Sequence, residues 1–186
     1  MKSLGTKTIE TERLILRKFV IEDADEMYNN WASDAEVTKY LTWPVHSDIE
    51  VTQNILGDWI NNYNNDYYFN WAIVFKQTNE VVGNISVVKF NKDILAVEIG
   101  YCLSRKLWGN NIMPEALKAI IDYLFNDVGI NRIAACHDIN NPNSGKVMKK
   151  AGMKYEGTLR KHGLNNQGIC DEVYYSIIKT EYMIGN

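Results

Sequence analysis

The stretch that most limits how this chain can fold is Val97-Glu-Ile-Gly-Tyr-Cys-Leu-Ser-Arg-Lys-Leu-Trp-Gly-Asn-Asn-Ile-Met-Pro-Glu-Ala-Leu117. It predicts a strand, a polar glycine-bearing loop and a helix opened by proline, whose missing N–H costs nothing where no intrahelical partner exists. Such a loop presents backbone N–H groups at the positive end of a helix dipole, an anion site that a diphosphate would fit. An ordinary strand-to-helix turn has the same outline, and motifs this short recur by chance.

The rest of the chain supplies a frame for that unit. Ala116, Leu117, Ile120, Ile121 and Leu124 make an apolar stripe on the helix, with Glu115, Lys118 and Asp122 outside it. Residues 13–19 predict a first strand, 23–31 a helix with acidic residues at its positive end, and 34–41 a second helix. Ser47-Asp-Ile-Glu50 has the form of a capping box, before a helix carrying Val51, Ile55, Trp59 and Ile60 at helical spacing. Residues 68–75 and 81–90 flank a turn at 76–80 as an antiparallel hairpin, and 96–103 is a third run. A short strand at 132–137 precedes a helix at 142–151 closed by Gly152. Residues 153–161 and 170–180 form a last hairpin around 165–168. This order predicts a mixed α/β (α+β) domain over residues 1–186, with its core at about 11–180 and helices on both faces of the sheet.

Several functions are excluded on simpler grounds. Residues 1–12 carry no apolar run behind their lysine, unlike a secretory signal. No stretch approaches the roughly 18 apolar residues of a membrane span, so the expectation is a cytoplasmic protein without a membrane partner. A net charge of -3 argues against a nucleic-acid partner. Cys102, Cys136 and Cys170 are odd in number, far apart and without a CxxC pair, which predicts reduced thiols. Three scattered histidines offer no metal-ligand cluster. Cys136 and His137 are adjacent in a strand and point to opposite faces, so they do not pair as nucleophile and base. No G-x-G-x-x-G follows the first strand, as a dinucleotide oxidoreductase would require.

Four stretches in order make the reading specific. They are Thr11-Glu-Arg-Leu-Ile-Leu-Arg17, Glu98-Ile-Gly-Tyr…Trp108-Gly-x-x-Ile-Met-x-Glu-Ala-Leu117, Asn141-Pro-Asn-Ser144…Lys150-Ala-Gly-Met153, and Glu156-Gly-Thr-Leu-Arg160…Asp171-Glu-Val-Tyr-Tyr175. Together they resemble the GNAT N-acetyltransferase superfamily, and within it the branch that acetylates the N-termini of ribosomal proteins. The resemblance implies a mostly antiparallel, twisted sheet of six to seven strands in which two strands splay to bind acetyl-CoA. It places the pantetheine arm along Tyr101, Cys102 and Leu103 as an added strand. The pyrophosphate would lie at Trp108, Gly109, Asn110, Asn111, Ile112 and Met113. The family's loop usually carries a basic residue and then glycine where Asn110 and Asn111 stand. Asparagine tolerates a left-handed turn, and Arg105 and Lys106 are candidates for the missing charge or simply solvated.

The same resemblance makes Ser144 the proton donor to the departing thiolate, with Met148 where many relatives have a tyrosine acid. Asn141 would hold the coenzyme arm, although asparagine before proline also suits a plain N-cap. Lys146 would meet the 3′-phosphate or be a surface lysine. The glutamate that some relatives place after the Glu156-Gly motif falls at Gly163, which leaves Glu98 as the carboxylate. Glu98 shares a face with Gly100 and would act as base through a water, or be a strand carboxylate paired with a lysine. His162 is a reserve base or a surface hairpin residue. By analogy Trp31, Tyr40 and Trp43 roof the acceptor cleft beside Trp59, with most of these rings in the core.

The acceptor is expected to be an amine. At pH 7 an α-amine of pKa about 7.8 is about 10–15% neutral, whereas a lysine amine near 10.4 is about 0.04% neutral. A weak or water-mediated base therefore suits a peptide N-terminus. A polyamine, amino sugar or amino acid, and a non-catalytic coenzyme-binding sensor, are the alternatives. A homodimer is expected by analogy alone.

Overall fold

Residues 4–185 are described by a computed structural model. Its strands are β1 (Ile9–Glu10), β2 (Leu14–Arg17), β3 (Asn70–Phe75), β4 (Glu80–Asn91), β5 (Ala96–Leu103), β6 (Arg132–Asp138), β7 (Lys154–Asn165) and β8 (Gly168–Ile178). They join into one sheet of order β1-β2-β3-β4-β5-β6-β8-β7, antiparallel at every pairing except β5 with β6. The mixed fold with a mostly antiparallel sheet is the expected one. Its eighth strand, β1, is only two residues long and pairs Ile9 with Leu16, too short to leave an alternating pattern in the sequence.

The helices are α1 (Ala24–Met27), α2 (Ala35–Thr38), α3 (Ile49–Asn62), α4 (Ile112–Tyr123), α5 (Pro142–Lys150) and α6 (Lys179–Gly185). β3 shows why both faces need cover: its residues Asn70 to Val74 are all buried, as expected of a strand sandwiched between layers. Trp71 and Ile73 join the α4 side, with Leu117, Ile120 and Ile133, whereas Ala72 and Val74 join Phe19, Trp31 and Leu56 on the α1–α3 side. No helix among the described residues is long and apolar enough to cross a membrane.

Four local expectations are corrected. The helix after Ser47 is capped by Asp48, whose carboxylate accepts from Val51 N–H at 3.0 Å while Ser47 Oγ donates to it. The stretch 23–31 is a composite: a 3₁₀ turn at Ile21–Asp23, then α1, then a π segment at Tyr28–Ala32. The helix expected to reach residue 41 stops at Thr38. There the tip of the β7–β8 hairpin takes the carbonyls, with Asn166 Nδ2 donating to Thr38 and Trp43 O and Asn166 N–H to Leu41 O. The strand expected to end at 161 continues to Asn165 through register shifts that include Leu159/Gly163.

Candidate active site

β5 and β6 pair only at Ala96, Val97 and Glu98. Beyond that point β5 stays with β4 as far as Leu103, and β6 stays with β8 as far as Asp138. The two strands therefore part, and the edge of β5 from Ile99 to Leu103 has no strand partner on that side among the described residues. A cavity of about 470 Å³ opens along this edge. Tyr101, Cys102 and Leu103 line one side, Asn141 and Ser144 the other, and the loop into α4 closes the end.

That loop has the form its sequence requires. Gly109 adopts φ +82° with open space where a side chain would stand, and Asn111 takes φ 59° at the helix cap. Asn111 makes no side-chain cap bond, so the first turn of α4, with Ile112 and Met113, faces the cavity uncapped. Trp108 folds back so that its indole N–H donates to Leu103 O at 2.9 Å. From behind, Arg13 donates to the carbonyls of Asn110 and Asn111 at 3.0 and 3.2 Å. Glu115 holds Arg13 in turn, accepting from its backbone N–H, its Nε and the Thr11 hydroxyl. Burial alone would raise the Glu115 pKa, but these donors outweigh it and hold the carboxyl below its ordinary range. The Thr11–Arg17 stretch thus acts as a clamp on the loop.

Of the two readings for Arg105 and Lys106, the geometry fits the one that keeps them off the loop. Arg105 is spent on Asp34, Nε to Oδ2 at 2.9 Å, and neither it nor Lys106 lines the cavity. Lys150, from the last turn of α5, reaches across to Asn111 Oδ1 at 2.5 Å. Lys39 and Lys146 also line the cavity, Lys146 with Asn143 Oδ1 at 3.1 Å. Nothing in the loop sequence signals Lys150, because its approach depends on how α5 packs against α4. Lys150→Met is expected to weaken coenzyme A binding about threefold and to flatten its dependence on salt, since one partly exposed charge against a phosphate is a screened interaction. Isothermal titration at two ionic strengths reads both effects.

Across the seam, Tyr101 OH lies 2.9 Å from Ser144 Oγ and donates to Ser144 O at 3.0 Å. Burial pushes the Tyr101 phenol well above its ordinary pKa, so it stays protonated. Cys102 is raised to about 12 by burial and stays a thiol. Asn141 makes no side-chain cap bond and lines the cavity, and Met148 is buried in the core.

The opposite face of the parting strands is acidic. Glu98 accepts from Lys89 Nζ with both carboxylate oxygens at 3.1 Å. Cys136 Sγ lies 3.9 Å from Glu98 Oε1 and 3.7 Å from Glu172 Oε1, and burial plus these two carboxylates pushes its thiol to about 12. Glu172 also meets His162 Nδ1 at 2.6 Å and the Tyr174 hydroxyl at 3.2 Å. Glu172 belongs to the Asp171–Tyr175 stretch that carried the resemblance, yet nothing in that stretch marked it as a neighbour of Cys136 and His162.

Of the rings expected to roof the cleft, only Tyr40 lines it, together with Val37 and Leu41. Trp31 is fully buried in the α1–α3 core, and its indole N–H has no acceptor among the described residues. Trp43 packs on His46 at 5.3 Å, and Trp59 on Phe19 at 5.1 Å. These side chains cover the sheet because burying an indole gains more than exposing it in a polar cleft.

Comparison with known proteins places this geometry. The model of the acetyltransferase (GNAT) domain matches residues 13–154. The uncharacterized N-acetyltransferase p20 of Bacillus licheniformis is 34% identical over 95% of this chain and 98% of its own length. The ribosomal-protein-serine acetyltransferase of Escherichia coli is 26% identical over 74% of this chain and 76% of that protein. The crystal structure of a GNAT-family acetyltransferase from Bacillus anthracis superposes with a TM-score of 0.82 at 29% identity, covering 94% of this chain and 99% of that one.

Proposed function

This chain belongs to the GNAT acetyltransferase family, and we propose that it acetylates the α-amine of a protein or peptide N-terminus, drawing the acetyl group from acetyl-CoA. The observation that carries the reading is the open edge of β5 with Tyr101 and Ser144 joined across it. The residues fit the coenzyme: an unpaired strand edge for an extended amide-bearing arm, an uncapped helix start behind Gly109, and lysines 39, 146 and 150 for phosphates. Bound acetyl-CoA supplies an activated acyl carbon and a thiolate leaving group. Tyr101, Cys102 and Leu103 hold the arm through their backbone, and a β5 N–H serves as oxyanion donor. Asn141 steadies the arm from the other wall. Ser144 holds at Oγ the proton that the leaving sulfur takes up, and Tyr101 fixes that hydroxyl. Glu98 orients a water that draws the proton from the amine, and Tyr40 lines the acceptor's approach.

The α-amine is favoured over lysine because Glu98 is already engaged by Lys89 on both oxygens and is left to act on the amine only through a water. Such a base suffices for an amine that is about 10% neutral at pH 7 and fails for one that is about 0.04% neutral. The E. coli relative named as a ribosomal-protein acetyltransferase supports a protein acceptor. Thiol release from acetyl-CoA tests it, with lysine-free peptides bearing free N-termini, N-blocked peptides containing lysine, and spermidine. Release with the free N-termini is expected; release with spermidine or blocked peptides alone would overturn the α-amine reading in favour of a side-chain or small-molecule amine.

A further inference from the structure

Glu98 leaves a proton without a destination. Held on both oxygens by an ammonium, it can orient a water but is poorly placed to keep the proton that the water removes. A second carboxylate stands across Cys136 from it. Glu172 Oε1 and Glu98 Oε1 flank one thiol, at 3.7 and 3.9 Å from Cys136 Sγ. Both lie beside the place where β5 and β6 part, since Glu98 is the last β5 residue paired to β6 and Cys136 is two residues past its partner Ala134.

Gly163 makes room for this carboxylate. A Cβ built at Gly163 would stand 2.5 Å from Glu172 Oε1, 2.6 Å from Cδ and 2.7 Å from Cγ, so the carboxyl of Glu172 occupies the volume where a side chain at 163 would begin. Any residue but glycine there would expel it. On its far side Glu172 Oε2 meets His162 Nδ1 at 2.6 Å, and that imidazole is half exposed to solvent. A carboxylate inside the seam and an imidazole at the surface make a path along which a proton can leave.

We propose that the Glu172–His162 pair is the proton acceptor of the acceptor side, taking through the water oriented by Glu98 the proton that the incoming ammonium must lose. The inference rests on the acetyl-transfer reading above. In the step, one N–H bond of the ammonium breaks and its electron pair stays on nitrogen, which becomes the nucleophile. The proton bonds to a Glu172 carboxylate oxygen shared with His162 and passes to solvent from the imidazole before the next turnover. The titratable groups around Glu172 are Glu98 with Lys89, Cys136, Cys170, Tyr174 and His162. Among them only the His162 imidazole combines a direct bond to the carboxylate with broad exposure.

The test uses the full chain and whichever amine it acetylates fastest. Glu172→Gln is expected to lower kcat/KM for the amine about 100-fold at pH 7, the usual scale for losing a proton acceptor. Titration calorimetry is expected to show coenzyme A binding within twofold of wild type. The deficit should shrink as pH rises toward the pKa of the amine, because free amine then forms without help; a purely structural defect would not shrink. The exchange Glu172→Gly with Gly163→Glu, which returns a carboxylate to the same volume from the neighbouring strand, should recover at least tenfold. A Glu172→Gln protein within threefold of wild type, or a deficit constant with pH, would overturn the proposal and leave the acetyl-transfer reading intact. A wild-type protein that acetylates no amine would instead overturn that reading, and this assignment with it.

Discussion

Ser144→Ala is expected to lower kcat about a hundredfold while leaving coenzyme A affinity within about twofold. Ser144 Oγ lies on the cavity wall, 2.9 Å from Tyr101 OH and opposite the β5 edge where the arm of the coenzyme would lie. A proton delivered to sulfur matters only as the C–S bond breaks, so its loss belongs to kcat and not to binding. Tyr101→Phe should produce the same pattern more mildly, because water replaces the lost phenol but positions the serine hydroxyl less well. The buried phenol stays protonated far above neutrality, so the effect of Tyr101→Phe should not change between pH 6 and 9. Single-turnover kinetics alongside calorimetric titration separates the two quantities. Equal losses in affinity and rate would place Ser144 among the residues that hold the coenzyme.

Trp71→Ala is expected to cost about 3–5 kcal/mol of folding stability, the range for truncating a fully buried large aromatic side chain. Trp71 is wholly buried near the start of β3, stacks near Phe69 and meets the edge of Tyr123. Its indole N–H donates to Lys7 O at 2.8 Å, while Tyr123 OH donates to Gly5 O at 2.8 Å, so the pair also pins the N-terminal segment. Against a total of about 5–15 kcal/mol, that loss leaves a marginal protein. Trp71→Phe keeps most of the apolar volume and should lose far less. Urea midpoints at unchanged slope would establish the difference; a midpoint for Trp71→Ala within experimental error of wild type would show that the sheet repacks around the gap.

The fold was legible wherever periodicity ran long. β5 was expected at residues 96–103 and lies at Ala96–Leu103, and the stripe of Ala116, Leu117, Ile120 and Ile121 is buried as its spacing requires. The misses fall where tertiary contacts override local pattern. Asn166 truncates the helix at Thr38 by taking carbonyls from more than a hundred residues away. Trp31 and Trp43 are the aromatic residues one would choose to line a cleft, yet the sheet beneath claims them first. For the site, the loop and the Asn141–Ser144 turn were visible because their chemistry is written in consecutive residues. Lys150, Tyr101 as partner of Ser144, and Glu172 behind Gly163 were not, since each depends on a distance between separate elements.

The parting of β5 from β6 has one more consequence. The amide groups of Ile99–Leu103 that turn away from β4 have no strand partner among the described residues, although the Trp108 indole takes Leu103 O, so the middle of the sheet carries an edge by chemistry although not by position. An edge of this kind accepts any extended backbone of the right length, including one from a neighbouring molecule during synthesis or storage. A coenzyme lying along this edge, as proposed above, would be a blocking strand as well as a reactant. On that reading, copies without coenzyme are expected to self-associate more readily than loaded ones, which light scattering at matched concentrations with and without coenzyme A would show.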